Sequence, residues 1–193
     1  AKPTTVTPDD IQEARLAAEY LFDHGATRLA VVGSRTEPEH IDSVREAVEG
    51  NAQLRLRGVL EACAARGAAF DSRLVMSTGQ DWTIGSGARI TQQLIDSGIP
   101  FDGIVAFNDQ LALGALFTLA ANGISVPEQM QVIGFDNIEE AAYFQPPLTT
   151  MDSRLDWTAP TAVDRILGRI DGSITKSELL TTESQVIARA STR

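Results

Sequence analysis

Gly103-Ile-Val-Ala-Phe-Asn-Asp109, read together with Val132-Ile-Gly-Phe-Asp-Asn137, decides the fold. Each stretch is a short apolar run that ends abruptly in polar side chains. Between them, an Ala/Leu-rich segment from about Asp109 to Asn122 has the composition of a helix. Asn108 or Asp109 can cap its start, and Asn122-Gly123 closes it. The unit is strand–helix–strand, and it sets Asn108 and Asp136 at equivalent points just past two strand ends. In an open parallel sheet, ligands bind outside the carboxyl ends of the strands.

The pattern extends in both directions. Residues 1–8 read as extended. A helix follows from Asp9 or Asp10 to His24, stopped by Gly25, with Ile11, Leu16, Ala17, Tyr20 and Leu21 at helical spacing. Leu29–Gly33 reads as a buried strand. Residues 34–51 are polar and irregular, with a helical piece from Ile41 to Val48. A helix from Ala52 to Ala65 ends at Gly67, Leu74–Met76 is a second strand, and Thr78–Ile84 is a loop carrying Trp82. Another helix runs from Gly87 to Ser97. Beyond Asn137, Glu139–Phe144 is about one helical turn, broken by Gln145-Pro-Pro147, and Leu148–Met151 is short and extended. A helix from Trp157 to Ile170 and a strand from Gln185 to Ala188 complete the chain. Four buried strands alternating with helices predict an α/β fold: a parallel, open sheet with helices on both faces.

The totals exclude several functions. At 193 residues and 43% apolar content, the chain can bury a core without disulfide staples. Its single cysteine, Cys63, shares a stripe with Leu56, Val59 and Leu60 and reads as a small buried hydrophobe. The formal net charge of −10 and the absence of any Lys/Arg run argue against direct binding of nucleic acid. No apolar run approaches the length of a membrane span, and Ala1–Pro8 has no signal-peptide core, so a cytoplasmic protein with no membrane partner is expected.

The strand ends carry Ser34 and Arg35, then Ser77, Thr78 and the Asp81-Trp82 loop, then Asn108 and Asp109, then Asp136 and Asn137. These groups hydrogen-bond well and include one large aromatic ring, but no histidine, cysteine or lysine. No hydrolase elbow, zinc spacing or complete dinucleotide fingerprint is present; Gly85-Ser-Gly87 lacks the third glycine. The expectation is therefore no catalytic residue, no metal and no cofactor. Amides, carboxylates and guanidinium groups can instead bracket vicinal hydroxyls while an indole covers the apolar side of a sugar ring. Each charge-assisted hydrogen bond contributes roughly 1.5–3 kcal/mol. The plainer reading is that Asn108 and Asp109 only cap a helix and Asp136 only starts a turn.

At these residues the chain resembles the lactose/galactose-repressor (LacI/GalR) family of bacterial transcription regulators. Phe107-Asn-Asp-Gln-Leu-Ala-Leu-Gly114 is similar to the family's Asn-Asp-x-x-Ala-x-Gly segment, and Asn122-Gly-Ile-Ser-Val-Pro127 to its Gly-x-x-x-Pro turn. Val132–Asn137 and Pro146-Pro-Leu-Thr-Thr150 follow in the family's order; Asp9-Asp10, His24-Gly25 and Leu54-Arg-Leu-Arg-Gly58 fit upstream. The resemblance implies a periplasmic-binding-protein-like effector domain, in which two α/β subdomains clamp a small molecule, a sugar or related polyol ahead of a nucleobase. It implies effector contacts from Arg55, Asn108 and Asp136, stacking from Trp82, and a place near the cleft for Asp9. The planar fork of Arg55 is expected to hold two hydroxyls at once. Ser153 is a weaker candidate. The resemblance also implies a homodimer through Leu113, Leu116, Phe117, Tyr143 and Phe144. The alternative for that helix is burial between layers, since it is apolar around most of its circumference.

The chain lacks the helix-turn-helix headpiece, hinge helix and most of the N-terminal subdomain of such regulators. Operator DNA is therefore expected as a partner only through a headpiece absent from this chain. The corresponding division is a crossover segment (1–8), a C-terminal effector-binding and dimerisation subdomain (9–153), a helix returning to the missing subdomain (154–172), and a tail with a final strand (173–193). The apolar face of the returning helix then has no partner, and the insert at residues 35–50 is longer than usual. Three functions follow: the effector-binding and dimerising part of a repressor, a stand-alone sugar-binding protein for transport, and an α/β enzyme. The last needs a base or phosphate loop that the sequence does not supply.

Overall fold

The computed structural model describes residues 4–37 and 40–193. Two sheets form. The larger has six strands in the order β3 (Val75–Ser77), β2 (Leu29–Ser34), β4 (Gly103–Ala106), β5 (Gln131–Phe135), β6 (Thr149–Asp152), β8 (Gln185–Ile187). All neighbours are parallel except β6 and β8, which pair antiparallel. The smaller sheet pairs β1 (Thr5–Pro8) with β7 (Leu179–Thr182) in parallel.

Alternation along the strands builds two layers. Val31, Val105 and Ile133 point to the face covered by α1 (Asp10–Asp23) and α3 (Asn51–Arg66). Ala30, Val32, Ile104 and Val132 point to the face covered by α4 (Ile84–Asp96) and α5 (Asp109–Ala121). Successive side chains of a strand face opposite ways, so a strand buried on both faces reads as a continuous apolar run. Two helix pairs approach backbone to backbone at glycines. A Cβ on Gly58 would run into the Ile11 carbonyl of α1; one on Gly114 would run into the Ile84 carbonyl of α4.

Several sequence expectations need revision. The sheet has six strands rather than four. Leu148–Met151 is not merely extended: β6 lies in the main sheet beside β5. The helical piece of the insert is limited to α2 (Ile41–Val44), whose Ile41 and Val44 reach the core; Pro38 and Glu39 fall outside the described residues. The segment expected as one tail is divided. Its first strand, β7, joins β1, whereas Ser191 and Thr192 lock onto Thr149 in the main body. The short α6 (Glu139–Tyr143) matches the expected single turn.

Helix α7 (Leu155–Ile170) lies over β1, and Leu155, Val163, Ile166, Leu167 and Ile170 on it are exposed. The chain passes between the two sheets three times: from β1 into α1, from β6 into α7, and from β7 into β8. At the second crossing Arg154 sits at φ 55°, a left-handed conformation unusual for a residue with a side chain. No helix among the described residues is long and apolar enough to cross a membrane.

Candidate functional site

The site forms where the C-terminal ends of β2, β4 and β5 meet the first turns of α1 and α3. Its centre is Arg55, which is only 5% exposed. The Gly58 contact explains this burial. It presses α3 onto α1, so one turn earlier Arg55 meets the start of α1. There its Nε donates to Asp10 Oδ1 at 2.9 Å, and Nη2 lies 3.6 Å from Glu13 Oε2. Nη1 donates to the carbonyl of Phe107 at the end of β4. The guanidinium carbon sits 4.4 Å from the ring centre of Phe135 and 6.0 Å from that of Trp82. Phe107 stands edge-on to both rings, 6.3 Å from Trp82 and 6.4 Å from Phe135.

A buried guanidinium is expensive to desolvate and persists only with partners. Here a carboxylate pair, a carbonyl and an aromatic face supply them. The carboxylates bear the cost in turn. Burial raises the pKa of Asp10, with Arg55 opposing the rise. Burial likewise raises Glu13, opposed by Arg55 and by the Ser153 and Ser184 hydroxyls; Ser153 Oγ donates to its Oε1 at 2.6 Å. Asp136 has an exposed side chain, yet the protein around it withdraws enough water to raise its pKa; Arg55 opposes the rise and Asp10 adds to it.

The expected residues divide clearly. Arg55 and Trp82 come together, and the charge of Arg55, which opposes the rise in the pKa of Asp136, sets Asp136 in the same electrostatic neighbourhood. Asp136 is held at φ 101° and Asn137 at φ 50°. Consecutive non-glycine residues with positive φ cost about 1–3 kcal/mol each and cluster at functional sites. Asn108 is the N-cap of α5: its Oδ1 accepts from Leu111 N at 2.8 Å. Its Nδ2 donates to the Trp82 carbonyl at 3.1 Å, so Asn108 also anchors the Trp82 loop and keeps one N–H for anything else. Trp82 is half-buried, with Arg35 5.3 Å from its ring centre and its indole N–H enclosed without an acceptor among the described residues. Asp9 caps α1 through Gln12 N at 3.0 Å. Asp9 and Asp10 line a groove of about 700 Å³ between the small sheet and the start of α3.

Asp10 and the Phe107 carbonyl hold one N–H of Nε and one of Nη1, so the fork of Arg55 keeps its other three N–H groups, one on Nη1 and two on Nη2. One expectation is corrected. Leu113 and Leu116 are 2% and 1% exposed, packed in the core, because α5 is sandwiched between the sheet and α4. They cannot face a second copy. Phe117 and Tyr143 are 62% and 81% exposed, and Phe144 is half-buried. Asp10, Glu13, Phe107 and Phe135 belong to the site but were not singled out in the sequence. For Asp10 the signal was the Asp9-Asp10 pair at a helix start. Glu13 has no local signal, since its burial follows from the α1–α3 contact.

Asp109 lies behind this site and is fully buried. Its Oδ1 accepts from Thr150 Oγ1 at 2.6 Å and its Oδ2 from Ile138 N at 3.0 Å. A Cβ on Gly134 would run into Asp109 Oδ1, so that glycine makes room for the carboxyl. Burial pushes the pKa of Asp109 up to about 7.

Residues 18–192 match the family described as the periplasmic binding protein-like domain. The transcriptional repressor CytR of Escherichia coli K12 is 29% identical over 189 residues, spanning 98% of this chain and 52% of the repressor. Among solved structures, a LacI-type transcription regulator from Bifidobacterium animalis subsp. lactis superimposes with a TM-score of 0.91 at 34% identity, covering 98% of this chain and 67% of that one. A LacI family regulator from Enterococcus faecium, solved with bound ribose, gives 0.80 at 28% identity, over 98% of this chain and 65% of that one. The chain thus spans about half the length of the curated repressor it matches. It belongs to the periplasmic binding protein-like family, and its relatives and structural neighbours are LacI-type transcription regulators.

Proposed function

We propose that this chain is the effector-binding part of a LacI-type transcription regulator and that its effector is a sugar or related polyol. The observation that carries this reading is the buried Arg55, held over Phe135 between Asp10 and Glu13, with Asp136 exposed and conformationally strained at the neighbouring strand end. Carboxylates and the remaining guanidinium N–H groups are acceptors and donors of fixed position, which suits vicinal hydroxyls. Trp82, half-buried, is the aromatic surface for the apolar side of a sugar. The strand ends hold no histidine, cysteine or lysine, which favours recognition over turnover. The ribose bound to the Enterococcus faecium relative supports the ligand class.

The regulator works in the cytoplasm by population shift. Effector favours one arrangement of the two sheets about the three crossings, and so changes DNA affinity through a headpiece outside this chain. A homodimer forms through the outward surface that carries Phe117 and Tyr143, with α5 otherwise committed to the core.

Calorimetry on Arg55→Lys and Asp136→Asn tests the site. Lysine keeps the buried charge but loses the planar fork, whereas alanine would strand Glu13 and confuse binding with unfolding. Each variant is expected to weaken the effector at least about tenfold, or ~1.4 kcal/mol. Unchanged affinity in both would remove the assignment.

A further inference from the structure

We infer that this face of the cleft discriminates by charge: it admits neutral or amine-bearing polyols and rejects those carrying a phosphate or carboxylate. The inference deepens the proposed function and rests on its site. Two carboxylates, Asp10 and Glu13, flank the buried guanidinium of Arg55 at 2.9 and 3.6 Å, and the charge of Arg55 acts on a third, Asp136. Arg35, exposed at the rim above Trp82, adds a second cation, and Asp9 beside Asp10 adds a fourth anion. Carboxylates therefore outnumber guanidinium groups at the strand ends.

Glu13 is fully buried, and its Oε2 lies 3.6 Å from Arg55 Nη2, so this carboxyl is fixed beside the guanidinium. The like charges also act on one another. After the larger effect of burial, Asp10 adds to the rise in pKa of both Glu13 and Asp136. An incoming phosphate would meet the same field. Arg55 cannot turn out to pair with it without abandoning Asp10 and the Phe107 carbonyl.

At a separation of about 6 Å and an effective dielectric near 20, one net negative charge weakens an anion's binding by about a hundredfold, and screening reduces this to about tenfold. The first test uses matched probes titrated into the chain: ribose with ribose 5-phosphate; glucose with glucose 6-phosphate, glucosamine and glucuronate; adenosine with its monophosphate. In any set that binds, the anion is expected to bind at least about tenfold more weakly than the neutral member, and Asp10→Asn to narrow the gap. A phosphate or uronate that binds as tightly as its neutral partner overturns the charge rule and leaves the sugar reading intact. Binding confined to adenosine, with its monophosphate rejected, supports the charge rule and overturns the sugar reading.

A second measurement needs no ligand. In a Trp157→Phe variant, fluorescence reports Trp82 alone. Caesium is expected to quench it more efficiently than iodide, each relative to acrylamide. The difference should shrink in Asp136→Asn and stay in Glu128→Gln, a control at the opposite end of the sheet. Equal quenching by the two ions, or a difference that Glu128→Gln removes as readily, overturns the inference.

Discussion

Replacing Asp109 by asparagine should stabilise the protein most above neutral pH and progressively less as the pH falls through mild acid. Burial pushes this carboxyl from 3.8 to about 7. The folded protein therefore keeps a proton that the unfolded chain gives up, and stability falls as pH rises between those two values. Below both, the group contributes no pH dependence; above both, its full cost is present. A rise of about three units corresponds to roughly 4 kcal/mol, and the part lost between about pH 5 and pH 8 is ~2.5 kcal/mol. Asparagine can keep the local bonds: Ile138 N donates to its carbonyl, and its amide donates to Thr150 Oγ1, whose own hydroxyl turns to the Met151 carbonyl at 3.4 Å. Alanine cannot, and it strands an N–H and an O–H at about 1–3 kcal/mol each. Urea titrations of wild type and Asp109→Asn at the two pH values measure the effect. The stability gap should widen by about 2.5 kcal/mol toward the alkaline value. A gap that is the same at both pH values would falsify the argument, since it would mean that Asp109 is already charged in the fold.

Other perturbations follow from single contacts. Gly114→Val should cost at least about 3 kcal/mol in chemical denaturation, because its Cβ would occupy the Ile84 carbonyl of α4; a cost under about 1 kcal/mol would mean the helices can part freely. Phe117→Glu should leave the chain's own stability within about 0.5 kcal/mol, since the ring is exposed, and should shift a dimer toward monomer in sedimentation. Asp136→Gly should hold or raise the melting temperature by relieving the φ of 101° while abolishing effector binding; loss of stability together with binding would make the residue structural. Cys63, whose thiol burial pushes up to about 11, should react with a disulfide reagent only as the chain unfolds. Fast labelling of the native protein would contradict its placement in the core.

The strands buried on both faces were legible because they lack polar interruption, and α5 because it lies between two of them. Strand β6 was harder to read. Thr149 and Thr150 look like loop residues until Ser191, Arg189 and Asp109 take up their hydroxyls and backbone groups. Strands β1 and β7 were beyond local reading, because each is defined by a partner at the other end of the chain. The same distinction applies to the site. Asn108, Asp136 and Trp82 stand at strand ends or in a strand-end loop, which periodicity locates. Glu13 and Phe135 have ordinary positions in a helix and a strand, and only the approach of α3 to α1 at Gly58 turns them toward Arg55. Leu113 and Leu116 show the opposite error: an all-apolar helix looks the same from sequence whether its second cover is another subunit or α4.

The small sheet has a consequence for folding order. Thr5 pairs with Leu179, and Thr5 N reaches the Glu178 carbonyl at 2.9 Å. Such distant residues meet only after the intervening chain has condensed, so their loop-closure entropy is recovered last. The main sheet and its two helix layers must first bring the end of β1 and the end of β6 side by side, where Ser153 reaches Glu13. The β1–β7 pair is then a clasp, fastened late and first to open. Its amides should exchange with solvent far sooner than those of β4 and β5, leaving a partly unfolded form whose main sheet is intact but whose hinge is undone.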